Sequence, residues 1–138
     1  METFEINSIE ELEKLSEKVT WQYFEKLVAF IFEKNDYDVK RNVVLTNSDS
    51  KRQFDVIAKK NNITYLIECK RWKSRVGVVS AIQDAVEIHL ERGKFYSELF
   101  PEEQTYPLLV MPLQGMPENH QDVFIVPLLS LNWFLNNN

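Results

Sequence analysis

The sequence predicts a single α/β domain with one mixed sheet flanked by helices, and three observations support this. The chain has 138 residues, the size of one ordinary domain. Apolar residues recur at helical spacing before and after a central stretch that has the composition of β-strands. No repeat, linker or low-complexity segment divides the chain, so we expect one packed unit over residues 1–138.

Two helices are predicted before the first strand. Ser8-Ile-Glu-Glu11 is a capping box, which predicts a short helix over residues 9–18. Thr20 can cap a second helix, in which the apolar residues recur at helical spacing. We expect this second helix to end near Asn35.

Three strands follow, and the last two form a hairpin. Residues 39–45 are rich in Val and predict the first strand, whereas residues 46–52 are polar and predict a loop. Residues 53–60 and 63–70 are two β-rich runs. Asn61-Asn62 between them suits a tight turn, because Asn tolerates positive φ.

A further helix and three short elements complete the domain. Residues 76–92 have helical apolar spacing, and Gly93 is the predicted stop. Residues 106–111 and 123–126 predict short strands, and Leu128–Leu135 predicts a closing helix. The order α-α-β-β-β-α-β-β-α divides the chain into an N-terminal helical extension (1–19), a core (20–92) and closing strands with a helix (93–138).

The basic residues are concentrated in one quarter of a chain whose net charge is −5. Residues 40–75 contain ten Lys/Arg and three Asp/Glu, a net of +7. Residues 1–39, with four Lys and ten Asp/Glu, and residues 76–138, with two Lys/Arg and eight Asp/Glu, each have a net of −6. Such a region suits contact with nucleic-acid phosphates, although a solvated strand surface is also common. The predicted contacts are Lys51, Arg52, Arg71, Trp72, Lys73 and Arg75, with Trp72 either stacked on a base or folded over the core.

Composition excludes several classes of site. One cysteine, Cys69, and two histidines are too few for a Cys/His zinc site or an internal disulfide, so a metal here would be a hard cation held by carboxylates. The three glycines leave no Gly-rich nucleotide loop. The segment Met1–Glu5 lacks the basic and apolar regions typical of a signal peptide, so none is expected, and no apolar run approaches the roughly 20 residues of a membrane span. We therefore expect a cytoplasmic protein without membrane association.

The hairpin places two carboxylates opposite each other. If Asn61-Asn62 is the turn, paired positions sum to 123, and Asp55 faces Glu68. Because side chains alternate along a strand, Asp55, Glu68 and Lys70 would share one face, and Phe54 would belong to the core on the other. A slip of one residue would place the two carboxylates on opposite faces.

This arrangement fits a divalent cation. Like charges directly opposite on a sheet are destabilising unless a cation lies between them. Mg²⁺, with Mn²⁺ as a substitute, could be held by Asp55 and Glu68, and Lys70 could orient a water molecule or stabilise the developing charge. The alternative is a surface Glu-x-Lys pair, which is frequent by chance and worth less than about 1 kcal/mol.

Two segments carry a resemblance to a known superfamily. Phe-Asp-Val-Ile-Ala (54–58), the hairpin and Tyr-Leu-Ile-Glu-Cys-Lys-Arg (65–71) resemble the PD-(D/E)xK restriction-endonuclease-like nucleases. The helix over 21–32, followed by Asn-Asp-Tyr-Asp-Val (35–39), is similar to the opening of Mrr-like restriction endonucleases and archaeal Holliday junction resolvases. The resemblance implies an αβββαβ core and a Mg²⁺-dependent nuclease that usually acts on DNA.

The resemblance also implies roles for five residues. Asp55 and Glu68 would be metal ligands and Lys70 the catalytic lysine. Glu25 would be an additional ligand from the first helix, unless it is only a partly exposed helix charge. Gln83 matches a polar residue that relatives often have near the metal.

The chain departs from the family pattern at two positions that bear on its function. Phe54 stands where the superfamily name has proline, and Glu68 stands where many Mrr-like members have glutamine, which places the chain closer to the resolvases there. The favoured function is a metal-dependent endodeoxyribonuclease in prokaryotic defence or DNA processing, acting as a homodimer or within a larger effector protein. The alternatives are a nuclease for RNA or branched DNA, a non-catalytic nucleic-acid-binding module, and a plain interaction domain.

Overall fold

The computed structural model describes residues 21–72, 79–112 and 115–137. The helix predicted over 9–18 lies outside these residues. Within the described ranges, no helix is both long and apolar enough to cross a membrane. The elements in chain order are α1 (Trp21–Lys34), β1 (Asp38–Thr46), β2 (Lys51–Lys60), β3 (Ile63–Cys69), α2 (Val79–Leu99), β4 (Gln104–Met111), β5 (Glu118–His120), β6 (Val123–Pro127), a 3₁₀ turn (Leu128–Ser130) and α3 (Leu131–Asn136).

The strands form one mixed sheet in the order β1-β2-β3-β4-β6-β5. β1, β2 and β3 are antiparallel neighbours, whereas β4 runs parallel to both β3 and β6. β5 pairs antiparallel with β6 and was not predicted, because its three residues, Glu-Asn-His, have no apolar alternation. The predicted α/β class with a mixed sheet flanked by helices is confirmed.

The helices cover both faces of the sheet. α1 and α3 lie on one face, where Phe24, Leu27 and Phe134 belong to a cluster with Val56 and Ile67 of the central strands. α2 covers the other face in two clusters, one of which joins its Phe95 and Tyr96 to Ile57 and Leu66. β3 and the middle of β2 are therefore buried on both sides, which fits their mostly apolar sequence, whereas the two ends of β2 are polar.

Two predicted boundaries differ from the structure. α2 continues through Gly93 to Leu99, so the predicted stop at Gly93 is wrong and the boundary after residue 92 falls inside a helix. Gly93 packs against β4, where a Cβ would lie 3.6 Å from Cγ of Pro107, and the apolar spacing resumes beyond it. β2 begins at Lys51, so the predicted loop over 46–52 is shorter than expected.

The predicted hairpin register is confirmed for the pairs that the ladder contains, and these do not include the predicted pair of Asp55 and Glu68. The β2–β3 ladder runs from Lys60↔Ile63 to Val56↔Ile67, and Asn61 in the turn has φ 58°. Phe54, however, packs with Ile57 beneath α2 rather than with Val56 on the α1 side. Its predicted place in the core on the face opposite Glu68 and Lys70, the face of Val56, is therefore wrong, because the alternation of side chains inverts at Asp55, between Phe54 and Val56.

The neighbouring strand inverts at the same level. Asn42 of β1 lies opposite Asp55, between the pairs Arg41↔Val56 and Val43↔Phe54, and it has a left-handed φ of 53°. Before Asn42, odd-numbered residues such as Val39 pack against the α1 cluster, whereas after it Val43 packs beneath α2. We call this feature, formed by Asn42 and Asp55, the pleat inversion.

Candidate active site

Asp55 lies at the pleat inversion, where its side chain replaces a backbone partner. Beyond the last ladder pair of β2 and β3, the amide of Cys69 donates a hydrogen bond to Oδ2 of Asp55 at 3.0 Å. Burial raises the pKa of Asp55, and this hydrogen bond acts in the opposite direction. The negative charge of Glu68 also raises the pKa of Asp55, while Arg92 and Lys70 lower it, so these charges lie close enough to interact.

Glu68, at the end of β3, faces two cations with its two oxygens. Oε1 lies 2.7 Å from Nη1 of Arg92 in α2. Oε2 lies 3.6 Å from Nζ of Lys70 and 4.0 Å from Nδ1 of His89. Among the described residues, Oε2 of Glu68 and Nδ1 of His89 are buried and have no hydrogen-bond partner.

His89 is oriented by a backbone contact on β3. Its Nε2 lies 2.8 Å from the carbonyl oxygen of Leu66, which can only accept, so Nε2 carries the hydrogen. Burial lowers the pKa of His89, although the Leu66 bond and the charge of Glu68 favour its protonated form. In the neutral ring Nδ1 is an acceptor, and it faces a carboxylate oxygen that is also an acceptor. Neither of these two acceptors can donate a hydrogen to the other, so a hydrogen-bond donor or a cation beside Glu68 would satisfy them.

Glu25 of α1 extends the acidic cluster to the other side of the sheet. Burial raises the pKa of Glu25, and the charge of Asp55 raises it further, whereas Arg41 and Arg71 lower it. Glu25, Asp55 and Glu68 thus form a row of coupled carboxylates from the α1 layer to the α2 layer. In the described part of the chain, no three His, Cys, Asp or Glu side chains form a ready metal cage.

The donor set nevertheless fits a hard divalent cation. Carboxylate oxygens are the ligands that Mg²⁺ prefers, and Asp55 and Glu68 supply them from adjacent strands. The unpartnered buried Oε2 of Glu68 is an acceptor that a cation would satisfy. Burial is the main cause of the raised pKa values of Asp55 and Glu25, and the negative charge of a neighbouring carboxylate raises each pKa further.

The predicted site residues are partly brought together. Lys70 lies beside Glu68, and Glu25 lies near Asp55, as described above. Gln83 is exposed on α2, and its role in the site stays a prediction.

The predicted nucleic-acid contacts differ in their surroundings. Lys51 and Arg71 are exposed. Arg52 is held by Glu91 of α2, with Nη2 2.6 Å from Oε1 and Nε 2.9 Å from Oε2, so its charge is already paired. Lys73 and Arg75 lie outside the described residues.

Trp72 is half-buried and packs against the α2 cluster. Its neighbours in that cluster include Ala85, Val86 and Ile82. Of its two predicted roles, the packing favours a cover over the core rather than a stacking platform for bases.

The sequence did not single out Arg92, and it gave His89 no special role. Both belong to the inward-facing stripe of α2, where Ala85, His89, Arg92 and Tyr96 are spaced by four, three and four residues. Two polar residues on an otherwise apolar stripe, in the helix that follows Glu-x-Lys, were the available signal.

The comparisons identify the family. Residues 16–96, more than half of the chain, match the Mrr_cat restriction endonuclease family. The chain belongs to this restriction endonuclease family. The matched range includes Glu25, Asp55, Glu68, Lys70 and Arg92, so the whole row of charged residues lies inside the family domain. The predicted resemblance to restriction-endonuclease-like nucleases is confirmed.

Solved structures share the fold of this restriction endonuclease family member at low sequence identity. A protein of unknown function, AF1548, aligns with a TM-score of 0.52 and 20% identity over 64% of this chain and 45% of its own. The small subunit of the heterodimeric restriction endonuclease R.BspD6I aligns with a TM-score of 0.59 and 18% identity over 93% of this chain and 75% of its own. An XisH family protein from Nostoc punctiforme PCC 73102 aligns with a TM-score of 0.50 and 15% identity over 63% and 68%.

The chain spans less than half of the first of these structures. No curated protein matches it in sequence. These structural neighbours therefore establish the fold, while the family match establishes membership of the restriction endonuclease family.

Proposed function

We propose that this protein is a divalent-metal-dependent endonuclease that hydrolyses phosphodiester bonds in DNA. The observation that supports it most is the position of Asp55, which the amide of Cys69 fixes at the end of the β2–β3 ladder beside Glu68. Oε2 of Glu68 is buried without a hydrogen-bond partner in the described residues, and Nζ of Lys70 lies 3.6 Å from it. Two carboxylates and a lysine at one point are suited to phosphodiester hydrolysis.

Asp55 and Glu68 would hold Mg²⁺ or Mn²⁺, and Glu25 would add a ligand from α1. The bound metal would supply Lewis acidity and lower the pKa of a water molecule. Lys70 orients that water and stabilises the negative charge that develops on the phosphate oxygens. The water oxygen forms the new bond to phosphorus and releases its proton to solvent. The bond from phosphorus to one sugar oxygen breaks, and that oxygen takes up a proton.

DNA is the proposed substrate because the site is flanked by basic residues and the family is that of restriction endonucleases. Lys51 is exposed at the start of β2, Arg71 is exposed directly after Lys70, and both would contact the DNA backbone. One structural neighbour is the small subunit of a heterodimeric restriction endonuclease. We therefore propose that a second copy or a different subunit completes DNA recognition, in defence or DNA processing.

The test is a plasmid-nicking assay with variants matched in shape. Wild type should nick supercoiled plasmid in Mg²⁺ or Mn²⁺ and not in EDTA. Asp55→Asn and Lys70→Met should each reduce the rate by at least about 100-fold, because each removes a group that acts on the reacting atoms. Lys59→Met is the control, since Lys59 pairs with Glu103 near the hairpin turn, away from the site, at 3.3 Å.

Cleavage that persists in EDTA, or equal rates for wild type and Asp55→Asn, would contradict the proposal. If wild type does not nick plasmid, RNA and four-way DNA junctions are the next substrates. Cleavage of one of these would change the substrate but keep the site. Metal-independent binding without any cleavage would instead identify a non-catalytic nucleic-acid-binding module.

A further inference from the structure

Arg92 already pairs with Glu68, one of the three carboxylates proposed to bind the metal. Its Nη1 lies 2.7 Å from Oε1 of Glu68, the length of a strong charge-assisted hydrogen bond. The arginine side chain is 24% exposed and that of Glu68 is 15% exposed, so the pair is only partly screened by water. Without metal, the protein itself therefore supplies a cation at the metal position.

Arg92 and a divalent metal would compete for this position. The charge of Arg92 also lowers the pKa of Asp55, so the guanidinium lies near both Asp55 and Glu68. A divalent cation held by Asp55 and Glu68 would repel the guanidinium, because Nη1 of Arg92 lies only 2.7 Å from Oε1 of Glu68. Lys70 already faces the other oxygen of Glu68, at 3.6 Å from Oε2.

The anion that a DNA substrate brings to this place is the scissile phosphate. A guanidinium fork matches two phosphate oxygens with two parallel N–H···O hydrogen bonds. Because Arg92 is long and partly exposed, its head group can leave Glu68 while its stem stays packed on α2.

We propose that Arg92 is a phosphate-binding catalytic residue that pairs with Glu68 before the metal binds and with the scissile phosphate afterwards. This inference rests on the proposed function, because a phosphodiester must enter the site. It assigns Arg92 two opposed effects: it weakens metal binding to the free protein, and it accelerates cleavage by stabilising negative charge on the nonbridging oxygens.

The experiment compares wild type, Arg92→Gln, Arg92→Lys and the control Lys59→Met. Lys59, like Arg92, is a cation paired with a glutamate, at 3.3 Å from Glu103. Mn²⁺ affinity of the protein without DNA is measured by isothermal titration calorimetry. Single-turnover cleavage is measured at saturating Mn²⁺, and melting temperature in EDTA tests whether each variant is folded.

Arg92→Gln should bind Mn²⁺ about two- to fivefold more tightly, the effect of removing one partly screened ion pair. It should cleave about 100-fold more slowly at saturating metal. Arg92→Lys should bind Mn²⁺ like wild type and cleave at an intermediate rate, because it keeps the charge and loses the fork. Lys59→Met should change neither quantity.

Unchanged or weaker Mn²⁺ binding by folded Arg92→Gln would refute the competition. A wild-type rate at saturating Mn²⁺ would refute the contact with phosphate and leave Arg92 as a structural link between α2 and β3. If wild type cleaves nothing, the proposed function fails while the Mn²⁺ affinities still decide the competition. Anisotropy of a labelled DNA duplex in Mn²⁺ then replaces the rate, and equal binding by wild type and Arg92→Gln would refute the inference.

Discussion

Replacing Asp55 with asparagine should stabilise the metal-free protein and remove its response to Mg²⁺. Asparagine keeps an oxygen that can accept the hydrogen bond from the amide of Cys69, which lies 3.0 Å from Oδ2. It removes the negative charge that burial and Glu68 make unfavourable, as the raised pKa of Asp55 indicates. The same substitution removes a metal ligand, so its two effects on stability have opposite signs depending on the metal.

The size of both effects can be estimated. Relief of one like-charge contact on a sheet is worth about 0.5–1 kcal/mol, which corresponds to a rise of about 2–4 °C in the melting temperature of a domain of this size. Mg²⁺ at about ten times its dissociation constant stabilises the wild type by about 1.4 kcal/mol, or about 5 °C. Asp55→Asn should show none of this second increment.

The assay is thermal melting in EDTA and in Mg²⁺ between pH 4 and pH 8. A carboxyl with a raised pKa in the folded state contributes stability below its unfolded value near 3.8 and loses it as the pH rises through the folded value. The advantage of Asp55→Asn in EDTA should therefore be largest at neutral pH and shrink toward pH 4. The reasoning would be refuted if Asp55→Asn melted at a lower temperature than the wild type at pH 7 in EDTA. It would also be refuted if Mg²⁺ raised the melting temperature of Asp55→Asn as much as that of the wild type.

Three further substitutions test contacts around the site and at the far end of the sheet. His89→Leu should destabilise the folded protein by about 1–3 kcal/mol, because it leaves the backbone carbonyl of Leu66 in β3 without its donor. Since burial lowers the pKa of His89, the stability of the wild type should also fall as the pH drops below 6.5. Equal urea midpoints for the variant and the wild type at pH 7 would contradict the first expectation. Glu103→Gln should lower the free energy of unfolding by about 1 kcal/mol at pH 7 and by less at pH 4. Burial raises the pKa of Glu103, but three hydrogen-bond donors outweigh burial and lower it, so the stability that Glu103 contributes is lost as the pH falls through the pKa of the folded state. A loss independent of pH in urea unfolding would count against this explanation. Arg52→Met should weaken DNA binding less than Lys51→Met, because Glu91 already neutralises Arg52. Fluorescence anisotropy of a labelled DNA duplex at several salt concentrations measures both affinities. The reverse order would show that the ion pair of Arg52 and Glu91 opens when DNA binds.

Local patterns predicted the hairpin well. The Asn61-Asn62 turn and the two β-rich runs fixed the register, and the ladder from Lys60↔Ile63 to Val56↔Ile67 follows it. The same rule misplaced Phe54, because alternation holds only while both strands keep a regular pleat. The left-handed backbone of Asn42 ends that regularity, and nothing in the sequence of β2 indicates it.

The ends of elements were less predictable than their existence. Gly93 resembled a helix stop, but packing of α2 on β4 keeps the helix intact to Leu99. A glycine inside a helix costs only about 1 kcal/mol relative to alanine, which tertiary contacts readily offset. β5 depends entirely on pairing with β6 and has no pattern of its own.

The sequence placed the carboxylates and the lysine of the candidate site but not the groups that α2 adds. Asp55 lies on β2, Glu68 lies on the adjacent β3, and Lys70 directly follows β3, so hairpin geometry relates them. Arg92 and His89 reach Glu68 only because α2 packs over β3 in one particular rotation, and that rotation depends on contacts spread over the whole layer.

The pleat inversion means that a residue outside the site determines how its aspartate is presented. Asp55 lies between Phe54, which packs beneath α2, and Val56, which packs beneath α1, and its charge interacts with both Glu25 of α1 and Glu68 of β3. This presentation depends on Asn42, whose left-handed φ a β-branched residue would resist. Grafting this site onto another protein would therefore require both β1 and β2, because the residues around Asp55 in β2 do not by themselves produce the backbone geometry that Asn42 of β1 imposes.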